Sequence, residues 1–180
     1  FIGQLTTISK SGKRSVLART GDGSFLSGVD ARGRGTATYV SSLPPEFQDG
    51  PPSDTTLNRV LPNGRSTTLA SLLDYEMANN PDASNIYGLL DASTSCRESA
   101  GMLEDFIGPA VYPGDVESNP YAVVIDSDGS RVVADAAGNT LVRVRANGRM
   151  STVAVLPPVV QELSEDALHA ILAETNAVLE

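Results

Sequence analysis

Short apolar runs alternate with polar, glycine-containing turns along most of this sequence. The pattern is clearest in residues 118–158, which contain four runs rich in Val, Leu, Thr and Ala: 121–125, 131–135, 140–145 and 150–156. The first run is apolar throughout, as expected of a strand that is buried on both faces. Four short strands joined by tight turns within about forty residues are typical of one β-propeller blade.

Three segments of the sequence repeat one pattern around a turn glycine. They are residues 5–18, 57–70 and 141–154, and their glycines are Gly12, Gly64 and Gly148. In each segment a Leu and an Ile or Val precede the glycine at fixed distances, and a Lys or Arg and an Ala follow it. Ser-Gly or Asn-Gly provides the positive φ angle that a tight hairpin requires, so each segment is predicted to be a β-hairpin. The first two glycines are about one propeller blade apart, at roughly 40 to 50 residues per blade.

Three helices are predicted outside the repeats. Residues 71–78 have a helical pattern that ends at the breaker Asn-Asn-Pro-Asp, and a second short helix is predicted from residue 97 to 106. Ser164 is a suitable N-cap for an amphipathic helix at 165–179, with Glu and Asp in its first turn. The sequence therefore predicts an all-β fold with short helical insertions.

These elements divide the chain into about two and a half four-stranded blades. We expect residues 1–158 to be a partial β-propeller, followed at 159–180 by the amphipathic helix of an inter-blade insertion. The parts of the propeller are a half blade at 1–20, a blade at 21–74, an insertion at 75–117 and a blade at 118–158. The first hairpin has no preceding partner strands and the sequence does not begin with Met, so we interpret the chain as an internal fragment.

Composition narrows the classes of partner and chemistry. With 13 Lys and Arg against 22 Asp and Glu, the formal net charge is −9. This is the wrong sign for a protein that binds a phosphate backbone, so we expect no nucleic-acid partner. No apolar run approaches the roughly 20 residues that span a bilayer, so we expect no membrane span. One Cys excludes an internal disulfide and a cysteine-rich zinc site within these residues, and one His argues strongly against a zinc enzyme or a His-based triad built from them alone.

Several motifs resemble the NHL-repeat type of β-propeller and, more closely, the ScyD/ScyE-like family. They are Asp-Tyr-Glu-Met-Ala-Asn-Asn-Pro-Asp at 74–82, Ser-Asn-Pro-Tyr at 118–121, Val-Ala-Asp-Ala-Ala-Gly-Asn-Thr-Leu at 133–141 and Ser-Thr-Val-Ala-Val-Leu-Pro-Pro at 151–158. The insertion at 83–117 departs from the family pattern. The resemblance implies a six-bladed propeller that is secreted and has no settled biochemical activity.

Propellers place ligands at the mouth of the central channel, on the loops that enter the inner strands. The candidate ligand-binding residues are Glu76, Asn80, Asp82, Asn119 and Tyr121. Lactonase-type propellers hold a divalent cation there with carboxylate and amide oxygens, which calcium also prefers. The alternative is that these Asn and Asp side chains cap loops.

Four further polar residues are expected to brace turns. Asp126 and Asp128 resemble the start of a calcium loop, but the twelfth position is Ala137 instead of Glu, so we predict a hairpin turn. Asp135 and Asn139 are predicted to bond to the backbone of the next turn. Cys96 has two open alternatives, a disulfide to a cysteine outside these residues or a free thiol.

The sequence therefore favours an exported, non-enzymatic β-propeller module that serves protein binding or scaffolding. Its partners would be the rest of its own propeller and another protein or a small ligand, and it would require no cofactor. The alternative is a metal-dependent, lactonase-like hydrolase or lyase that holds calcium or another divalent cation in the propeller channel.

Overall fold

The computed structural model describes residues 3–21, 23–33, 35–42, 55–101, 104 and 108–160. Nearly half of these residues are in β-strands and far fewer are in helices, which agrees with the predicted all-β class. The helix predicted at 165–179 and its cap Ser164 lie outside the described residues. Within the described residues, no helix is long and apolar enough to cross a membrane.

The first half of the chain forms two antiparallel sheets. The first sheet pairs β1 (Gln4–Ile8) with β2 (Arg14–Arg19). The second has four strands in chain order: β3 (Phe25–Arg32), β4 (Thr36–Ser42), β5 (Thr56–Val60) and β6 (Ser66–Ser71). Helix α1 (Leu72–Asn79) follows directly.

The second half begins with an insertion and ends in another four-stranded sheet. The insertion contains a small sheet and a helix: β7 (Ile86–Gly88), α2 (Thr94–Gly101) and β8 (Val111–Pro113). The third large sheet again has its strands in chain order: β9 (Pro120–Ile125), β10 (Arg131–Asp135), β11 (Thr140–Val144) and β12 (Met150–Val155).

All three predicted hairpins are confirmed, and they share a local irregularity. The turn glycines Gly12, Gly64 and Gly148 have φ angles of 80°, 81° and 81°, as tight turns require. In each hairpin the pairing register shifts directly after the repeated Leu: at Leu5/Thr6, Leu57/Asn58 and Leu141/Val142. Such bulges bend a strand and increase its twist, so the repeated sequence produces the same curvature three times.

The sheets pack face to face in chain order. Between the first and second sheets lie Ala37, Tyr39 and Val60, with Leu5 and Leu17 against them. Between the second and third sheets lies a larger cluster of fully or almost fully buried side chains: Val40, Leu57, Leu72, Val123, Val133, Val142 and Val144. Alternate residues of the second sheet therefore face opposite neighbours, as the two-residue period of a strand requires.

The second and third sheets lie side by side with their corresponding ends at the same level. Ser27 Oγ donates to the carbonyl oxygen of Pro120 at 2.7 Å, and Ile125 N donates to Asp30 Oδ2 at 2.7 Å, so β3 and β9 run in the same direction. A Cβ at Gly28 would lie 2.6 Å from the Cα of Ala122, so only glycine permits this approach.

We call the end that carries the tight hairpin turns (9–13, 61–65, 126–130 and 145–149) the turn end. The opposite end, with α1, the insertion and residues 135–140, is the loop end.

Both helices that the structure describes were predicted, one of them with a different start. Helix α1 begins after Ser71, whose Oγ accepts from Asp74 N at 3.1 Å, so the prediction for 71–78 is confirmed. The second helix begins at Thr94 instead of Arg97, because Ser93 Oγ accepts from Cys96 N at 3.2 Å and caps it. The second half of that predicted helix falls largely outside the described residues.

Candidate functional site

A cluster of buried acidic side chains lies at the loop end, where α1 meets the turn between β10 and β11. Its members are Glu76, Asp82 and Asp135. Helix α1 ends at Asn80, which adopts a left-handed conformation with φ 34° while its N–H donates to the Glu76 carbonyl oxygen at 2.7 Å. This helix end turns the chain so that Asp82 enters the interior beside the third sheet.

Asp82 is 1% exposed and is held mainly through one oxygen. Its Oδ2 accepts from the Tyr87 hydroxyl at 2.9 Å and from Asn139 Nδ2 at 3.1 Å. Its Oδ1 is buried and has no hydrogen-bond partner among the described residues. A Cβ at Gly114 would lie 2.4 Å from that Oδ1, so the backbone of the insertion fills the space beside it.

Asp135 connects the start of β9 to the turn after β10. Its Oδ1 accepts from Asn119 N at 2.7 Å and from Gly138 N at 3.3 Å, and its Oδ2 accepts from Ser118 Oγ at 2.6 Å. Thr55 Oγ1 donates to Ser118 Oγ at 2.6 Å, which extends the chain of bonds to the second sheet. Both carboxylate oxygens of Asp135 therefore have structural partners: Oδ1 binds two backbone N–H groups and Oδ2 binds the Ser118 side chain.

Glu76 is the most perturbed acid of the cluster. It is 2% exposed, and its Oε1 is buried without a hydrogen-bond partner among the described residues. Burial, followed by the negative charges of Asp135 and Asp82, raises the pKa of Glu76 to about 7. A Cβ at Gly138 would lie 3.1 Å from Glu76 Oε2, so this glycine leaves room for the carboxyl group.

The structure brings four of the five candidate ligand residues together. Glu76, Asn80 and Asp82 come from one segment, and Asn119 joins through its bond to Asp135. Asn80 Nδ2 donates to the Gly114 carbonyl oxygen at 3.2 Å. Tyr121 is 70% exposed on β9, and none of the hydrogen bonds described for this cluster involves it.

The turn after β9 is an internally bonded hairpin turn. Ser127 N donates to Asp126 Oδ1 at 2.6 Å, and Ser130 N donates to Asp128 Oδ1 at 2.8 Å. The bond from Ser127 N, followed by Arg143, lowers the pKa of Asp126, and the side chain and then the backbone of Ser130 lower the pKa of Asp128, to which Arg143 also contributes. Arg143 Nη1 lies 3.1 Å from Asp126 Oδ2 and 3.8 Å from Asp128 Oδ2.

Within the described part of the chain, no three His, Cys, Asp or Glu side chains are grouped so that they could hold a metal ion. The oxygens best placed for a cation are Glu76 Oε1 and Asp82 Oδ1, because both are buried and unpartnered. Cys96 is a partly buried free thiol in this chain, and a disulfide to a cysteine elsewhere stays a prediction.

Sequence reasoning missed several members of the cluster. Tyr87 and Gly114 lie in the insertion, where no periodic pattern marks them, and Thr55 lies outside the motifs at 74–82, 118–121, 133–141 and 151–158. Gly138 had a detectable signal, because it stands between Asp135 and Asn139 in the motif at 133–141.

Comparison with protein-family models, curated proteins and solved structures found no match to this chain.

Proposed function

We propose that this chain is part of an exported, NHL-type β-propeller of the ScyD/ScyE-like kind that acts as a binding or scaffolding module. The observation that carries the proposal is a contact that recurs between successive repeats. A Cβ at Gly64 would lie 3.4 Å from the Leu17 carbonyl oxygen, and one at Gly148 would lie 3.7 Å from the Leu69 carbonyl oxygen. Leu17 and Leu69 hold the same position in their repeats.

Each hairpin is therefore related to the next by a similar rotation and translation. Repeating one such movement generates a ring or a superhelix of stacked sheets, and propellers are the ring form. Four-stranded sheets with their strands in chain order also support this architecture. In such folds the stacked sheets are the scaffold and the exposed ends provide binding surfaces.

The loop-end cluster favours binding or scaffolding over catalysis. Both oxygens of Asp135 and one oxygen of Asp82 hold neighbouring loops together. Gly114 and Gly138 pack directly against Asp82 and Glu76, which leaves little space for a substrate. A catalytic carboxylate must instead reach its substrate within hydrogen-bond distance.

The second candidate is a metal-dependent, lactonase-like hydrolase or lyase. It is favoured by one observation, the unpartnered Glu76 Oε1 and Asp82 Oδ1. Buried carboxylate oxygens without donors are unusual, and a hard cation such as calcium would satisfy both.

Thermal unfolding in the presence of metal ions separates the two functions. A ligand at 100 times its dissociation constant stabilises a protein by about 2.7 kcal/mol, which shifts the midpoint of a domain this size by several degrees. For a binding module we expect calcium, manganese and zinc at millimolar concentration to leave the midpoint unchanged within about 1 °C. A saturable rise that Glu76→Gln abolishes and Asp74→Asn preserves would favour the hydrolase instead.

A further inference from the structure

The cations of this acidic protein are concentrated at the turn end. Within the described residues, every Lys and Arg except Arg19, Arg32 and Arg97 lies in a turn of this end or within two residues of one, and Arg32 is the last residue of β3 at the same end. The described acids of this end are Asp30, Asp126 and Asp128, and the others lie at the loop end or in the insertion. The turn end is therefore basic, although the net charge of the whole protein is −9.

Two of these arginines lie on the sides of the second and third sheets that face each other. Arg59 on β5 is the cross-strand partner of Thr38 on β4. Val40 and Leu57 form the cross-strand pair two residues further along, so Thr38 and Arg59 lie on the same face of the sheet as that pair. This face packs on the third sheet. On β10, Arg131 shares the face of Val133, which packs on the second sheet.

The polar groups of this layer lack acceptors. Arg59 Nε, Arg131 Nε and Thr38 Oγ1 are buried without a hydrogen-bond partner among the described residues. Burial, and then the charge of Arg59, lower the pKa of Arg131. Arg131 Nη1 is the exception, since it donates to the Gly129 carbonyl oxygen at 2.9 Å.

The nearby acids are engaged elsewhere. Asp30 is in register with Thr38 and enters the same layer, but its Oδ1 accepts from Ala31 N at 2.7 Å and its Oδ2 from Ile125 N at 2.7 Å. Asp126 and Asp128 bond to Arg143, which is paired with Val132 and so lies on the opposite face of the third sheet.

We propose that Arg59, Arg131 and Thr38 form an oxyanion-binding site between the second and third sheets. Two guanidinium groups repel each other, and buried donors without acceptors destabilise a fold, so an anion in this layer would relieve both effects. Guanidinium groups and a hydroxyl are the donors that bind sulfate, phosphate and carboxylate oxygens. The other cations of the turn end attract such groups from solution. The proposed site is formed by the second and third sheets alone, so it does not depend on whether these sheets belong to a propeller.

Calorimetric titration with sodium sulfate, sodium phosphate and sodium acetate tests this site, in a chloride buffer at constant ionic strength. We expect saturable binding of at least one of the three, and the strongest of them identifies the oxyanion class. Arg59→Gln and Arg131→Gln should each weaken that binding about tenfold or more, since each removes a charge-assisted hydrogen bond. Arg19→Gln, which removes a cation near the loop end, should leave the affinity unchanged.

Stability supplies a second measurement. In chloride alone, Arg59→Gln should unfold at the same temperature as the wild type or higher, because it removes the repulsion with Arg131. Thr38→Val keeps the shape and both charges, and should weaken anion binding several-fold without loss of folding. The proposal is wrong if the wild type shows no saturable binding to any of the three anions, or if the Arg and Thr variants bind as tightly as the wild type.

Discussion

Glu76 shows how a buried side chain can acquire a perturbed pKa for structural reasons. Its carboxyl group is buried beside Gly138 and close to Asp82 and Asp135. Charging a third acid in this buried cluster is costly, and the pKa of about 7 means that Glu76 keeps its proton well above the usual range of a carboxyl group. Perturbed pKa values also occur in active sites, so this value alone does not identify the residue as catalytic.

The pKa of Glu76 predicts that its contribution to stability falls as pH rises. Folded Glu76 keeps its proton up to about pH 7 and unfolded Glu loses it near 4.5, so the folded state binds more protons between these values. The resulting destabilisation is complete above about pH 7, where it is of the order of 1–3 kcal/mol. Glu76→Gln, which cannot ionise, should therefore exceed the wild type in stability at pH 8 and approach it near pH 4.5.

Urea unfolding between pH 4.5 and pH 8 measures this difference. Asp74→Asn, at an exposed position of the same helix, is the matched control and should retain the pH dependence of the wild type. If Glu76→Gln and the wild type have parallel stability curves, Glu76 is ionised throughout the range and the cluster has been described wrongly.

At the scale of the elements, glycine determines how closely two sheets approach. Gly28 is an interior residue of β3 with φ 33°, and the register of β3 with β4 shifts beside it. The backbone of β9 lies directly against it, so β3 and β9 are in contact through main-chain atoms. A glycine inside a strand weakens that strand, and here it permits close contact between sheets.

Gly28→Ala should destabilise the protein more than a substitution that only strains the backbone. Gly33→Ala is the matched control, because Gly33 directly follows β3, has φ 74° and has no neighbour within 4 Å of a built Cβ. We expect about 1–2 kcal/mol for the control, from the left-handed conformation alone. Gly28→Ala should cost about 3 kcal/mol or more, since β9 must also move away. Equal losses in urea unfolding would show that the two sheets separate freely at this point.

At the scale of the whole molecule, the sequence predicted local pairing well and contacts between sheets poorly. Gly12, Gly64 and Gly148 marked the hairpins because a tight turn depends on a few adjacent residues. The bond from Thr55 to Ser118 joins residues far apart in sequence, and no local pattern encodes it. The basic turn end was not predicted either, because its cations come from turns that are far apart in sequence and the net charge does not show where they lie.

The layered packing predicts a gradient of stability along the stack. Among the residues that the structure describes, the two-stranded first sheet packs on one buried cluster, whereas the second sheet is packed between two. Sheets that contact only their neighbours unfold most easily at an end, so the amides of β1 and β2 should exchange with deuterium faster than those of β4 and β5. Leu17→Ala should accelerate exchange in β1 and β2 and leave β9–β12 unchanged, because Leu17 packs in the cluster between the first two sheets. Leu57→Ala removes a fully buried side chain between the second and third sheets and should accelerate exchange in both, at a cost of about 2–5 kcal/mol. Uniform acceleration by both variants, measured by mass spectrometry, would mean that the three sheets unfold as one cooperative unit and that stacking creates no gradient.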